Sequence, residues 1–366
     1  MASKAAPPST MKAVVINGNT AAVKDHPVPK LRPTYLLAKV HAVALNPTDW
    51  KHIAGQLAAP NGISGCDFAG EVVEVGADVS KHFQPGDRIA GTTHGANASN
   101  PEDGCFAEYC VAKADLMVKL PQSLSYEKAA TFPLGTSTVG QGLYQKALKL
   151  NLPTQPTKNG ETVLIYGGST ATGSLAIQFA KLSGYRVITT CSKHNFDAAK
   201  SLGADAVYDY RDPDCGKQIN KDTKDSLKLI WDTVSVPESA QICAEAMSSD
   251  TSGARYGSIL PVKYPTEGVE VVSTLMYTIF DAPFKKFGMD FPPVPEDFEF
   301  AKKFFDITEK LLAEGKLKTH EEQVGPHGLQ GVLEGFQQMK EGKVSGRKLV
   351  YRVAETPKDT KAEVQL

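Results

Sequence analysis

From residue 163 to residue 180 the chain reads Val-Leu-Ile-Tyr-Gly-Gly-Ser-Thr-Ala-Thr-Gly-Ser-Leu-Ala-Ile-Gln-Phe-Ala, and this stretch restricts the fold more than any other. The opening apolar run is what a strand buried on both faces shows. Leu175, Ile177, Phe179, Ala180 and Leu182 follow at spacings that suit a helix packed on a sheet. Strand, glycine turn and helix start aim unpaired N–H groups and the positive end of a helix dipole at one point, where a pyrophosphate can sit. Such a turn is weak by itself, so its neighbours must support it.

They do. Residues 186–190 (Arg-Val-Ile-Thr-Thr), 206–208, 227–232 and 257–260 read as further strands, with a helix expected over 196–202 between two of them. Strands that alternate with helices form a parallel, doubly wound α/β sheet. With 366 residues the chain is also long enough for a second core.

That second core is expected ahead of the first. Residues 11–16, 35–45, 71–76, 88–90 and 105–111 read as short strands set between turn signals such as Pro85-Gly86. Pro27, Pro29 and Pro33 mark the stretch before Tyr35 as a loop. In Asn46-Pro47-Thr48-Asp49-Trp50-Lys51, Thr48 or Asp49 can cap a short helix. Many short strands with little helical periodicity imply a barrel-like β unit. Two helices, over 298–315 and 331–342, and a strand over 348–353 close the chain, and the polar tail past Ala354 is expected to be loose.

Bulk properties remove several classes of function. A net charge of −1, from 40 basic and 41 acidic residues, gives no electrostatic case for nucleic acid or an anionic membrane. No apolar run approaches the ~20 residues of a membrane helix, and the first ten residues lack an apolar core, so a cytoplasmic protein is expected. Six scattered cysteines, none in a Cys-x-x-Cys pair, read as free thiols.

Several motifs resemble, in order, those of the medium-chain dehydrogenases/reductases: Asn46-Pro47-Thr48-Asp49, Gly65-Cys66-Asp67-Phe68-Ala69-Gly70, Pro85-Gly86-Asp87-Arg88, Ala107-Glu108-Tyr109 and Leu202-Gly203-Ala204-Asp205. The turn Tyr166-Gly-Gly-Ser-Thr-Ala-Thr172 and Cys191-Ser-Lys-His-Asn-Phe-Asp197 resemble the fungal trans-acting enoyl reductases that serve polyketide synthases. The resemblance implies a GroES-like β-barrel substrate domain over 1–132, completed by residues 300–366, and a Rossmann NADPH-binding domain over 133–299. Zinc-dependent members of the superfamily have Cys where Asn46 stands and His-Glu where Cys66-Asp67 stand. An amide does not replace a thiolate on zinc, so no metal is expected.

For the cofactor, the resemblance implies contacts from Gly167, Gly168, Ser169, Thr170, Ala171, Thr172 and Gly173 in the turn. Thr170 stands where the middle glycine of the usual fingerprint falls, and the hydroxyls of Ser169, Thr170 and Thr172 either replace its phosphate contact or cap the helix. The second strand ends in Thr190-Cys191-Ser192-Lys193-His194-Asn195, with no carboxylate for a ribose 2′-OH. Lys193 is either a solvated loop cation or a partner for a 2′-phosphate, and NADPH is the expected cofactor. Tyr210 is implied beside the adenosine. At the nicotinamide end the resemblance implies Thr48, Asp49, Trp50, Lys51, Ile259, Leu260, Val344 and Ser345.

For the substrate it implies Phe132, Pro133, Leu134, Gly135, Thr136, Ser137, Thr138, Val139, Tyr277, Thr278, Ile279 and Phe280. Lys51 and Thr138 are the expected catalytic pair, though each also reads as an ordinary surface lysine or helix-start threonine. No tyrosine stands in Gly55-Gln56-Leu57, where related mitochondrial enoyl reductases carry their acid, so the proton donor is undefined. The expected activity is hydride transfer from NADPH to the β-carbon of an enoyl thioester on a carrier protein of a polyketide synthase, by a monomer. A stand-alone quinone or enone reductase is the second reading, and an NADPH-binding scaffold without catalysis the third.

Overall fold

The apolar run after Glu161 becomes the strand Thr162–Tyr166, and it lies inside a six-stranded sheet, as its lack of polar alternation requires. In the computed structural model, which describes residues 7–360 and 362–366, the strand order is Ala206–Tyr208, Arg186–Thr190, Thr162–Tyr166, Leu229–Asp232, Arg255–Ser258 and Glu270–Ser273. Every neighbouring pair is parallel. The order reverses between Thr162–Tyr166 and Leu229–Asp232, so the crevice beyond Tyr166 and Asp232 is the place where such sheets bind ligands. The sixth strand, Glu270–Ser273, carries too short a pattern for the sequence reading to have found it.

This sheet belongs to a unit formed by Gly135–Met276 and Lys310–His320. Its core joins Leu164, Ile188, Ile230, Ala240 and Tyr256, all at most 1% exposed. A fully buried large apolar side chain contributes roughly 1.5–3 kcal/mol relative to an exposed one, so strands this apolar have little alternative to the sheet interior.

The other unit comprises Met1–Leu134, Tyr277–Glu309 and Glu321–Leu366. A seven-stranded mixed sheet contains Tyr35–Ala44, which pairs with Asp67–Val75, Tyr109–Lys113 and Lys348–Arg352. A four-stranded sheet contains Thr10–Asn17 and Thr20–Pro27. Together they form the GroES-like barrel portion of a mixed α/β chain.

Four local expectations are corrected. The stretch before Tyr35 is not all loop, because Gly18, at φ +58°, turns the chain and Thr20–Pro27 pairs back on Thr10–Asn17. The tail is not loose, since Glu363–Gln365 pairs with Thr20–Pro27 and buries Val364 and Leu366. The helix expected to reach about Leu148 is regular only over Pro133–Val139 and widens into a π-turn over Gly140–Gln145. Segment Tyr277–Glu309, which the sequence reading divided at residue 300, packs as one piece with the barrel unit. Residues 1–6, part of the start that was read for lacking an apolar core, lie outside the described residues. Among the described residues no helix is long and apolar enough to cross a membrane, and all six cysteines are buried and free.

Candidate active site

The glycine turn is shaped by close approach. Gly167 has φ +87°, and a Cβ there would come 2.6 Å from Thr233 Oγ1. A Cβ on Gly173 would come 2.2 Å from the Gly167 carbonyl oxygen, so only glycine lets the helix pack this tightly on the turn. The backbone N–H of Gly168 donates to Thr190 O at 2.9 Å, and that of Gly167 to Thr190 Oγ1 at 3.1 Å. The Thr170 hydroxyl accepts from the Gly173 N–H at 2.9 Å and caps the helix Ala171–Leu182. It also touches Thr233 Oγ1 at 3.0 Å. Of the two roles left open for Thr170, the structure therefore displays the cap. The half-buried residues Ser169, Ala171 and Thr172 stand at the helix start, where the first N–H groups have no partner inside the helix.

Beside this turn the next strand ends on a polar cluster. Ser192 is buried and its hydroxyl hydrogen-bonds the Tyr210 phenol, whose pKa is pulled down by Ser192 and by Arg211. The Arg211 guanidinium lies 5.6 Å from the Tyr210 ring centroid, and Lys193 faces Asp212. Lys193 and His194 are exposed. Asn195 Nδ2 is a buried donor with no hydrogen-bond partner among the described residues, an unusual cost unless an acceptor arrives. Two cations, a hydroxyl and an orphaned amide donor fit a phosphate. Sequence reading missed Arg211, although its place beside Tyr210 after the third strand was a usable signal. Farther along the same sheet edge the N–H groups of Ile259 and Leu260 donate to Ser235 Oγ at 3.0 and 3.3 Å.

In the barrel unit the helix Pro47–Ala54 organises a second cluster. Asn46, not Thr48 or Asp49, holds the cap position, and its N–H donates to Asp49 Oδ2 at 2.7 Å. Thr48 and His52 fall one helical turn apart on one face, so Thr48 Oγ1 meets His52 Nδ1 at 3.0 Å. Thr48 Oγ1 also contacts the Tyr277 hydroxyl at 2.7 Å, and that hydroxyl lies 4.0 Å from Cys66 Sγ. His94 stacks on the Tyr277 ring with centroids 4.3 Å apart.

Lys286 completes this cluster. In the hairpin Phe284–Lys286 and Met289–Phe291 the period of two turns Phe284 and Lys286 inward and leaves Lys285 exposed. The Lys286 ammonium hydrogen-bonds His52 Nε2 and sits 3.9 Å from the Tyr277 ring centroid. Burial draws the Lys286 pKa down to about 8, and burial together with the Lys286 charge draws His52 down to about 4. Burial likewise pushes the Asp49 carboxyl up to about 7 and the Cys66 thiol well up, with each group facing the other. Sequence reading missed His52 and Lys286. The Thr48–His52 spacing could have revealed the first, and no local pattern marks the second.

The positions matching zinc ligands hold a different chemistry. Asp67 Oδ2 accepts from Lys348 Nζ at 2.5 Å and from Asn46 Nδ2 at 2.9 Å, and Oδ1 accepts from the Leu134 N–H at 2.7 Å. A buried ammonium already neutralises the carboxylate, and an amide donor points where a metal needs a lone pair. Among the described residues no group of three or more His, Cys, Asp or Glu is placed to hold a metal ion. These residues do not fit zinc.

The other expected residues are placed as follows. Lys51 is exposed, 5.8 Å from the ring centroid of half-buried Trp50. Phe132, Pro133, Gly135, Thr136, Ser137, Thr138 and Val139 are buried and Leu134 is half-buried, along or just before the helix Pro133–Val139. Tyr277, Thr278, Ile279 and Phe280 form the 3₁₀ turn Met276–Phe280, where the Thr278 hydroxyl donates to Asp297. Val344 and Ser345 lie in the loop before Lys348–Arg352. Of the expected barrel-unit residues, the structure brings Thr48 together with Tyr277 and sets Lys51 apart on the surface.

Known proteins are similar to most of the chain. Residues 32–122 match the Alcohol dehydrogenase GroES-like domain family, and residues 171–272 match the Zinc-binding dehydrogenase family. The chain is 44% identical to a trans-enoyl reductase of Aspergillus sclerotiorum over 92% of its own length and 98% of the relative's. It is 44% identical to another from Alternaria alternata, over 94% of this chain and 99% of that one. Among solved structures, a quinone oxidoreductase from Coxiella burnetii has a TM-score of 0.69 at 26% identity, covering 94% of this chain and 99% of that one. An alcohol dehydrogenase superfamily protein from Novosphingobium aromaticivorans shares the fold, with a TM-score of 0.76 at 23% identity over 94% of this chain and 100% of that chain.

Proposed function

The chain belongs to the trans-enoyl reductases of the medium-chain dehydrogenase/reductase superfamily, and on that premise we propose that it reduces the α,β-double bond of a thioester carried by a polyketide synthase, with NADPH as the cofactor. The observation that carries this reading is similarity at 44% identity along 98% of a trans-enoyl reductase, through the barrel portion and the sheet portion alike.

Bound reduced nicotinamide supplies a hydride to the β-carbon of the substrate. The chain's own part is to hold and to polarise. The Gly167–Gly168 turn and the helix start at Ala171 offer N–H groups to a pyrophosphate. Ser192, Lys193, Asn195 and Arg211 suit a 2′-phosphate, which supports NADPH over NADH. Thr48, Asp49, Trp50, Lys51, Ile259, Leu260, Val344 and Ser345 are assigned to the nicotinamide end, and Thr138 and Lys51 to the thioester carbonyl. A double bond conjugated to a thioester is already activated, so charge that develops on the carbonyl oxygen needs hydrogen-bond donors rather than zinc. The working unit in this reading is one chain in the cytoplasm.

The test is NADPH oxidation with an enoyl thioester on a carrier protein, with a free simple quinone and with no substrate. Turnover of the thioester supports the reading, and turnover of the quinone alone sinks it.

A further inference from the structure

Lys286 is a buried cation with no anion beside it among the described residues. It is 7% exposed, no carboxylate among those residues pairs with it, and its neighbours are the His52 imidazole, the faces of Tyr277 and Phe287, and the Cys66 thiol. Burying an ammonium this way costs several kcal/mol unless negative charge comes to it. Its partner is fixed as a pure acceptor. His52 Nδ1 lies 2.6 Å from Thr48 O, a carbonyl that can only accept, so Nδ1 carries the ring proton and Nε2 offers a lone pair to Lys286. The cluster thus holds one mobile proton on Lys286, against the ring of Tyr277 in the segment assigned to substrate.

We propose that Lys286 is the proton donor of the reduction, held ready by His52. This rests on the enoyl reductase reading above. With hydride transferred to the β-carbon, the cofactor's C4–H bond broken and the oxidised cofactor left, the substrate's π electrons would move to leave a thioester enolate. The enolate's electron pair then takes a proton from the ammonium of Lys286. One N–H bond breaks, the α-C–H bond forms, and a neutral amine remains. Water reprotonates the amine through the hairpin, whose Phe287 and Met289 are 58% and 55% exposed. The ammonium's attraction for the enolate oxygen adds to the driving force.

The groups facing Lys286 do not compete with it in alkaline solution. Burial and the Lys286 charge hold His94 well below the usual imidazole range, and burial holds Tyr277 and Cys66 well above theirs. His52 stays neutral above about 4, and Asp49, next to Cys66, titrates at about 7, on the acid side of Lys286. A general acid with a pKa of about 8 is matched to turnover near neutral pH.

The experiment compares wild type with Lys286→Met and Lys286→Arg in NADPH oxidation on an enoyl pantetheine thioester, across about pH 6 to 10. NADPH affinity, read by fluorescence, reports whether each variant is folded. Wild-type kcat is expected to fall above pH about 8, and Lys286→Met to lose about a hundredfold in kcat together with that alkaline limb. Lys286→Arg keeps the charge but releases no proton in this range, so it loses the same limb and serves where the Met variant does not fold. Methylamine added to Lys286→Ala is expected to restore part of kcat. A folded variant with wild-type kcat and an unchanged alkaline limb overturns the proton-donor role alone. A wild-type enzyme that leaves every thioester untouched while binding NADPH overturns the functional reading, and this role with it.

Discussion

Lys348 Nζ lies 2.5 Å from Asp67 Oδ2, with the two side chains only 4% and 0% exposed. Breaking such a pair strands a charge in the interior, whereas removing both partners does not. Lys348→Met is therefore expected to destabilise the protein by about 3–5 kcal/mol, and Asp67→Asn combined with Lys348→Met to recover much of that loss. A double-mutant cycle by urea unfolding measures it. Because the ammonium takes up the carboxylate, dialysis against a chelator is expected to change kcat by less than about twofold. Loss of activity that zinc restores would contradict this account.

The 2′-phosphate assignment gives a sharper reading of charge. Replacing Lys193 by Glu puts an anion beside Ser192 and Asn195, which repels a phosphate and can accept from a 2′-OH instead. Lys193→Glu is expected to raise the KM for NADPH about tenfold or more and to lower that for NADH. Arg211→Ala is expected to weaken NADPH severalfold and leave NADH nearly unaffected, because the proposed contact of its guanidinium, 5.6 Å from the Tyr210 ring centroid, is to the 2′-phosphate that NADH lacks. Steady-state kinetics with both cofactors decides.

Thr170 is expected to act on stability more than on the cofactor. Its hydroxyl already accepts the Gly173 N–H and touches Thr233, so little capacity remains for a phosphate. Thr170→Ala should cost about 1 kcal/mol of stability and change NADPH affinity less than about threefold. A large loss of affinity with unchanged stability would return the hydroxyl to the phosphate.

These cases show what could be read in advance. The parallel sheet was legible because a strand buried on both faces and its glycine turn are local patterns, written in residues 163 to 173. The strand Thr20–Pro27 was missed because three prolines outweighed the Gly-Asn turn at 18 and 19. His52 and Lys286 stand 234 residues apart and meet only through tertiary folding, so no spacing announces the pair, although the Thr48–His52 spacing marks His52 alone. A lysine also reads by default as a solvated cation, and nothing in three residues of hairpin says that this one is buried. The role of Thr170 was open for a related reason: a hydroxyl at a helix start suits a cap and a phosphate equally well, and only the distances separate the two.

Asp49 gives a pH test that is independent of catalysis. Its carboxyl accepts the Asn46 N–H, which favours the charged form, yet burial dominates and lifts the pKa from 3.8 to about 7. Between those values the folded chain holds a proton that the unfolded chain has released, so stability falls as pH rises through this window. Below about 4 both states are protonated, above about 7 both are charged, and the difference stays constant on each side. At ~1.4 kcal/mol per pKa unit the loss is roughly 4 kcal/mol at most. In Asp49→Asn the amide oxygen can still accept from Asn46, but nothing titrates. The variant should therefore gain on wild type steadily from pH about 4 to about 7 and no further above it, as read by denaturant midpoints at each pH. A difference between the two proteins that does not vary with pH would mean that Asp49 is ionised throughout, and that burial does not control it.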